Sequence, residues 1–315
     1  MTPRRALVVV AFVVALVVGW AVWSREAPGT LSNGCEYSAR GIPACGAYVG
    51  AAVGGNDDPA TLEDRVGALG VRRTYWRADQ RGEAVDTARS DLAAGRLPWI
   101  SFKLQVPWEE AAVGARDEWT RALADGLADL PGPVWVALHH EPEGDGDIAA
   151  WRTVQERLGP VLRERAPNVG FTVVLTGWNQ VNGPPAYALD RIWPRTTVDV
   201  AGFDVYQMYG VERGGTRVEE VTDLPREYFA PFSAWAREKG VRWAVAETGT
   251  TDTAADERPA LLGETYAALV DAGGVAFTYF DSPLNSIADW TLRTETKQEQ
   301  FAEVLARSPR LPDLR

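Results

Sequence analysis

Histidine, cysteine and methionine each occur only twice in this chain of 315 residues, and lysine three times. Two histidines and two cysteines are too few for a zinc finger, an iron–sulfur protein or a His-rich metal enzyme. Basic residues are also in the minority, 32 against 43 acidic ones, for a net charge of −11. Such a chain has no basic face for nucleic-acid phosphates, and no nucleic-acid partner is expected. Arginine supplies 29 of the 32 cations, a bias that reads as genomic composition and says nothing of mechanism. Short repeats and low-complexity tracts are missing, and beyond residue 23 no apolar run is long enough to span a bilayer. What remains is an ordinary soluble mix, 46% hydrophobic and 24% charged, which excludes a disordered, collagen-like or multi-span protein. Against these shortages stand 13 tryptophans. A surplus of that size suggests stacking surfaces for sugars or bases, and the acidic charge favours sugars.

The amino terminus is a unit of its own. Residues 1–5 (MTPRR) carry two arginines, and residues 6–23 (ALVVVAFVVALVVGWAVW) carry no charge. That run is long for a signal-peptide core and just long enough to cross a membrane, and no clear small-x-small cleavage site follows it. The preferred reading of 1–23 is an uncleaved single-pass anchor, with a cleaved secretory signal as the alternative. Arginines before the segment stay cytoplasmic, which leaves the rest on the extracellular face or secreted. Residues 24–43 read as a linker. Cys35 and Cys45, ten residues apart and on the oxidising side of a membrane, are expected to form a disulfide.

From residue 44 to 315, short apolar runs alternate with amphipathic stretches. The runs are Ala44–Val49, Val71–Trp76, Leu97–Leu104, Val134–His139, Phe171–Thr176, Val198–Tyr206, Arg242–Ala246 and Val275–Phe280. They are rich in Val, Phe and Trp and mostly lack polar alternation, the mark of parallel strands covered on both faces. Helices are expected over Ala60–Leu69, Glu83–Ala94, Asp117–Leu130, Ile148–Arg165, Glu227–Lys239, Arg258–Ala272 and Thr294–Ala306, several of them stopped by Gly or Pro. The link after the fifth strand is weak and short. Eight such units predict an α/β fold, a (β/α)8 TIM barrel preceded by the hydrophobic helix of residues 1–23. The rival, an open doubly wound sheet, usually carries a Gly-rich phosphate turn, and VGAAVGGND (49–57) lacks the G-x-G-x-x-G pattern.

Active groups of a barrel gather at the carboxyl ends of its strands. Two carboxylates stand out there: Glu141 follows VWVALHH and Glu247 follows RWAVA. An ionised carboxylate at the rim of a core is costly unless something uses or pairs it. The fourth and seventh strand ends face each other across the mouth, with room for a sugar ring between them. Retaining glycosidases place a nucleophile and an acid/base carboxyl about 5–5.5 Å apart. The competing reading pairs each Glu with a structural arginine.

At these residues the chain resembles the clan A glycoside hydrolases, and family 26, the β-mannanase-type group, most of all. His140-Glu141 resembles that family's His-Glu pair, Ala246-Glu247-Thr248-Gly249 its nucleophile strand, and GAYVG (46–50) and Gly202-Phe203-Asp204-Val205-Tyr206 its opening and sixth strand. The resemblance implies Glu141 as acid/base, Glu247 as nucleophile, His140 as a residue holding substrate or the acid/base region, and Tyr206 beside the nucleophile. It also implies double displacement on a β-linked polysaccharide or oligosaccharide, with β-mannan the default and xylan or β-glucan next, and no cofactor. One departure is Glu143, where the family has Asn. Glu141 then needs a raised pKa, and Glu247 needs hydrogen bonds, from Tyr206 or Arg77.

The remaining site residues follow from position alone. Trp76, Trp108, Trp178 and Trp290 lie at or beyond strand ends and are candidates for stacking on sugar. Arg77, Lys103 and Asn179 are candidates for binding hydroxyls, as are Gln207, Asp281 and Asn285, with ion pairing the other reading for Arg77 and Lys103. The two histidines are adjacent, so strand alternation turns them to opposite faces and disfavours a shared metal. Alternation also puts His139, not His140, on the side of Glu141; the family pattern requires the chain to bend there. The expected protein is a monomeric endo-acting glycosidase at the cell surface. The alternatives are a non-catalytic glycan-binding barrel and, disfavoured by the lack of G-x-S-x-G, an esterase.

Overall fold

The computed structural model describes residues 29–284 and 286–314. Eight parallel strands close into a barrel: Tyr48–Val53, Val71–Arg77, Leu97–Lys103, Val134–Leu138, Val169–Leu175, Val200–Asp204, Arg242–Thr248 and Gly274–Asp281. They are called strands one to eight in that order; each pairs with its sequence neighbours, and strand eight pairs back onto strand one. The expected (β/α)8 barrel is the observed fold. The anchor or signal expected over residues 1–23 lies outside the described residues. Among the described residues, no helix is long and apolar enough to cross a membrane.

Helices cover the outside of the barrel. Ile148–Arg165 shows why they form where they do. Asp147 caps its start by accepting the Ala149 N–H at 2.8 Å, Trp151, Val154, Leu158 and Leu162 give it a buried stripe, and Arg163 and Arg165 lie in its last turn. After strand five the cover is thin, as expected, with only the short turns Trp178–Asn182, Pro185–Tyr187 and Leu189–Ile192. The helix expected over Arg258–Ala272 is observed as Leu261–Asp271, and a short helix that was not expected, Asp252–Glu257, precedes it.

Strand one departs most from its expected bounds. It runs over 48–53 rather than 44–49, because Cys45 is disulfide-bonded to Cys35 and Gly46 sits at φ +71. The strand then continues through Gly50, Ala51 and Ala52, whose small size suits a crowded wall: a Cβ on Gly50 would lie 1.7 Å from the Val71 carbonyl oxygen. From residue 29 the stretch expected as a linker is part of the folded body. Gly29–Thr30 and Glu36–Tyr37 form a small hairpin with Leu31 and Tyr37 buried. It packs under the amino-terminal ends of the strands, where the Trp135 indole N–H donates to the Arg40 carbonyl at 2.9 Å and Ser32 bonds the main chain of Arg310.

The barrel interior is layered. Trp99 and Trp135 are fully buried, edge to face at 5.1 Å, and the Trp99 indole N–H donates to Thr172 at 3.0 Å. Gly202 leaves room for Trp99, since a Cβ there would come within 3.0 Å of its ring. Filling the barrel with two indoles makes a solid floor; losing either to Ala costs about 3–5 kcal/mol. The guanidinium of Arg73 lies 5.5 Å from the Trp99 ring, and the polar layer of the mouth begins there.

Candidate active site

A cleft of about 730 Å3 opens at the carboxyl ends of the strands, and all eight strand ends or the loops after them contribute to its lining. At its base the carboxylates of Glu141, Asp204 and Glu247 each bring an oxygen within 4.8 Å of the others. Three acidic groups this close repel one another unless a cation or a proton is shared among them. Arg73 is that cation for two of them. Its guanidinium, fully buried, lies 2.9 Å from Asp204 Oδ1 and 3.1 Å from Glu247 Oε1.

Glu247 is held from both sides. The Tyr75 hydroxyl donates to its Oε1 at 2.7 Å and the Tyr206 hydroxyl to its Oε2 at 2.5 Å. Burial, and then the charge of Glu247, push the Tyr206 hydroxyl well above the ordinary phenol range; burial does the same at Tyr75, so both stay protonated donors. Glu141 is different. Burial, and next the negative charge of Glu247, push its carboxyl up to about 7.

The backbone at the end of strand four explains how Glu141 reaches the cleft. The strand stops at Leu138, and His139 and Glu141 sit at φ +55 and +47. Positive φ at non-glycine residues costs about 1–3 kcal/mol each and persists only where surroundings enforce it. These two turns cancel the strand alternation that favoured His139. His140 and Glu141 both face the cleft, while His139 turns away to accept from the Trp108 indole N–H at 3.1 Å and meet Asp145 at 3.1 Å. Burial, and then Arg73, hold His140 well below the usual imidazole range, so it is neutral. Lys103 ties the bend together, with Nζ donating to the His140 carbonyl at 2.8 Å, the Glu141 carbonyl at 3.4 Å and Asp145 at 2.8 Å.

Of the residues singled out in the sequence, Glu141, Glu247, His140, Tyr206, Trp76, Arg77, Lys103 and Trp290 all border the cleft. Trp290 is buried and stacks on Tyr206 at 5.0 Å, so the two rings form one apolar wall. Arg77 does not support Glu247: it is exposed and paired with Asp79 at 3.0 Å. That task falls to Arg73, four residues earlier on the inner face of the same strand. Trp108 is buried behind His139 and does not border the cleft. Trp178 is 56% exposed and Asn179 bonds back to Thr176, both outside the cleft lining because the chain turns into a short helix at residue 178. Gln207 and Asp281 are occupied by main-chain groups of the neighbouring loops. Asn285 lies outside the described residues. Glu143 accepts from the Thr176 N–H and from Gln180, pinning the loop after strand five.

Sequence reasoning missed Arg73 and Asn56, and it placed Tyr75 at the end of strand two without giving it a role. Arg73 and Tyr75 alternate on the inner face of strand two, a period-two signal in VRRTYWR that adjacent arginines obscure.

No family model matches the chain, and no protein of curated function matches it. Solved structures do resemble it in fold. A GH26 β-mannanase from Bacteroides ovatus superposes with a TM-score of 0.59 at 14% identity, over 84% of this chain and 89% of that one. Thermotoga maritima Cel5A, solved with cellobiose, gives 0.60 at 14% identity, over 82% and 97%. A Cellulomonas fimi endo-β-1,4-mannanase gives 0.56 at 15% identity, over 83% and 71%.

Proposed function

We propose that this chain is a retaining β-glycosidase acting by double displacement on a β-linked polysaccharide, with Glu247 as nucleophile and Glu141 as acid/base. The observation that carries the reading is the pair itself: two carboxylates whose nearest oxygens lie within 4.8 Å, one clasped by donors and the other pushed up to about 7. A separation in this range suits a nucleophile and an acid flanking one anomeric carbon, and the wider spacing of about 6.5–9.5 Å suits an inverting pair with water between them.

The chemistry follows from the surroundings. Glu247, ionised and oriented by Tyr75, Tyr206 and Arg73, attacks the anomeric carbon. Glu141 delivers its proton to the glycosidic oxygen as the bond breaks. Having given up that proton, Glu141 is a carboxylate, and with the charge of Glu247 gone in the ester one of the two causes that raised its pKa is relieved; it then takes a proton from the incoming water. Water then attacks the anomeric carbon, Glu247 leaves, and the configuration is retained. Tyr206, backed by the buried Trp290, offers an apolar surface to a pyranose ring, and neutral His140 has ring nitrogens for a hydroxyl.

β-Mannan is the first substrate to try, on the resemblance at His140-Glu141 and on the mannanases among the structures of similar fold; xylan and mixed-linkage β-glucan follow. We further propose that the enzyme acts as a monomer outside the cell, held at the membrane or released according to the fate of residues 1–23. The test is reducing-sugar release from a panel of these polysaccharides, with proton NMR of the first product to read its anomeric configuration. Hydrolysis with retention, lost in Glu247→Ala, is the expected result. Inversion overturns the mechanism, and binding without turnover overturns the enzyme in favour of a glycan-binding barrel.

A further inference from the structure

We infer that Asn56 is a positioning residue for the nucleophile, acting through Tyr75; this rests on the assignment of Glu247 made above. Strands one and two pair only at Gly50 with Val71 and Ala51 with Arg72, whereas strand two pairs with strand three over seven positions, up to Arg77 with Lys103. Past Arg72, therefore, the main chain of strand two has no partner strand on its strand-one side. At Tyr75 a side chain takes that place. Asn56 Oδ1 accepts the Tyr75 N–H at 2.8 Å, and Asn56 Nδ2 donates to the Tyr75 carbonyl at 2.6 Å. One amide thus makes both bonds that a neighbouring strand would make.

The loop carrying Asn56 is fastened in turn. Asn56 sits at φ +76, a region that Asn tolerates better than most residues. Arg72 donates to the carbonyls of Asn56 and Asp57 at 3.0 and 2.8 Å and is itself anchored on buried Asp91 at 3.3 Å. The Gly54 N–H bonds the Asp281 carbonyl at 2.9 Å. A buried ion pair outside the barrel thereby fixes a loop, the loop fixes the main chain of Tyr75, and the Tyr75 hydroxyl fixes one oxygen of Glu247. Asn56 borders the cleft, but its amide is engaged with Tyr75.

A double-mutant cycle tests this. Asn56→Ala, with Asn56→Ser as the gentler variant should Ala fail to fold, is assayed with and without Tyr75→Phe on the polysaccharide that the wild type hydrolyses best. The expected result is a fall in kcat of about tenfold with KM unchanged, shrinking to under about twofold once Tyr75 is Phe. Equal losses in both backgrounds, or a loss confined to KM, overturn the proposal. A crystal structure of the Asn56 variant gives a readout independent of turnover: the Tyr75 hydroxyl is expected beyond hydrogen-bond reach of Glu247, and an unmoved hydroxyl overturns the linkage. A wild type that hydrolyses no glycan removes the assignment of Glu247 as nucleophile, and the crystal structure still decides whether Asn56 governs Tyr75.

Discussion

At the end of strand seven, Glu247 accepts from two tyrosines and touches an arginine; at the end of strand four, Glu141 carries the same carboxyl with no donor to it among the described residues. The two groups are close enough to feel each other's charge. Their chemistry differs through what the neighbouring strands present. Strand two sends Arg73 and Tyr75 inward toward strand seven, while strand four bends at His139 and lifts Glu141 off the donors. One carboxylate is fixed in place by its donors, and the other is left bare, where burial and the neighbouring charge favour its proton.

The largest test of that contrast removes each carboxyl in turn. Glu247→Ala is expected to lower kcat by about 10⁴-fold or more on every substrate. Glu141→Ala loses about 10²–10⁴-fold on polysaccharide but far less on aryl glycosides whose leaving group needs no proton. Equal losses on both substrate types would erase the division of roles. Next comes the shared cation. Arg73→Met strands Asp204 and Glu247 together without a counter-charge and is expected to cost about 3–5 kcal/mol of stability, read by calorimetry.

A smaller effect comes from Glu141→Gln. A carboxyl whose folded pKa lies above its unfolded value does no harm at low pH and destabilises as pH rises through the folded value. With Glu141 pushed up to about 7, the Gln variant should match the wild-type Tm at pH 4 and exceed it by a few degrees above pH 7. A Tm gain at pH 4 of the same size would mean that the change acts through packing. The smallest effect belongs to Lys103, whose charge opposes the rise at Glu141. In Lys103→Met the basic limb of the kcat/KM profile, near pH 7 in the wild type, moves to higher pH by under about half a unit, because a partly exposed cation is screened. Movement to lower pH would contradict the stated cause.

The barrel was legible because parallel strands buried on both faces read as apolar runs, and eight of them alternate with helical stretches. Strand one was displaced by four residues because the disulfide and Gly46 are tertiary constraints that an apolar run does not reveal. Glu141 and Glu247 were legible because each ends such a run. Arg73 was not, since in VRRTYWR two arginines adjoin and only the pleat decides which turns inward to Asp204 and which outward to Asp91. Arg77 was chosen in its place for lying at the strand end, where it meets solvent. Trp178 failed by the same reasoning, because a helical turn starting at that residue points its indole outward. Asn56 lies in a loop, where no periodicity singles out a residue.

The hairpin beneath the barrel has a consequence for direction. Gly29 and Thr30, the first strand of that hairpin, lie at the pole opposite the cleft. On the proposal that residues 1–23 hold the protein at a membrane, the cleft would open away from the side of attachment, toward glycans beyond the cell rather than within the bilayer surface.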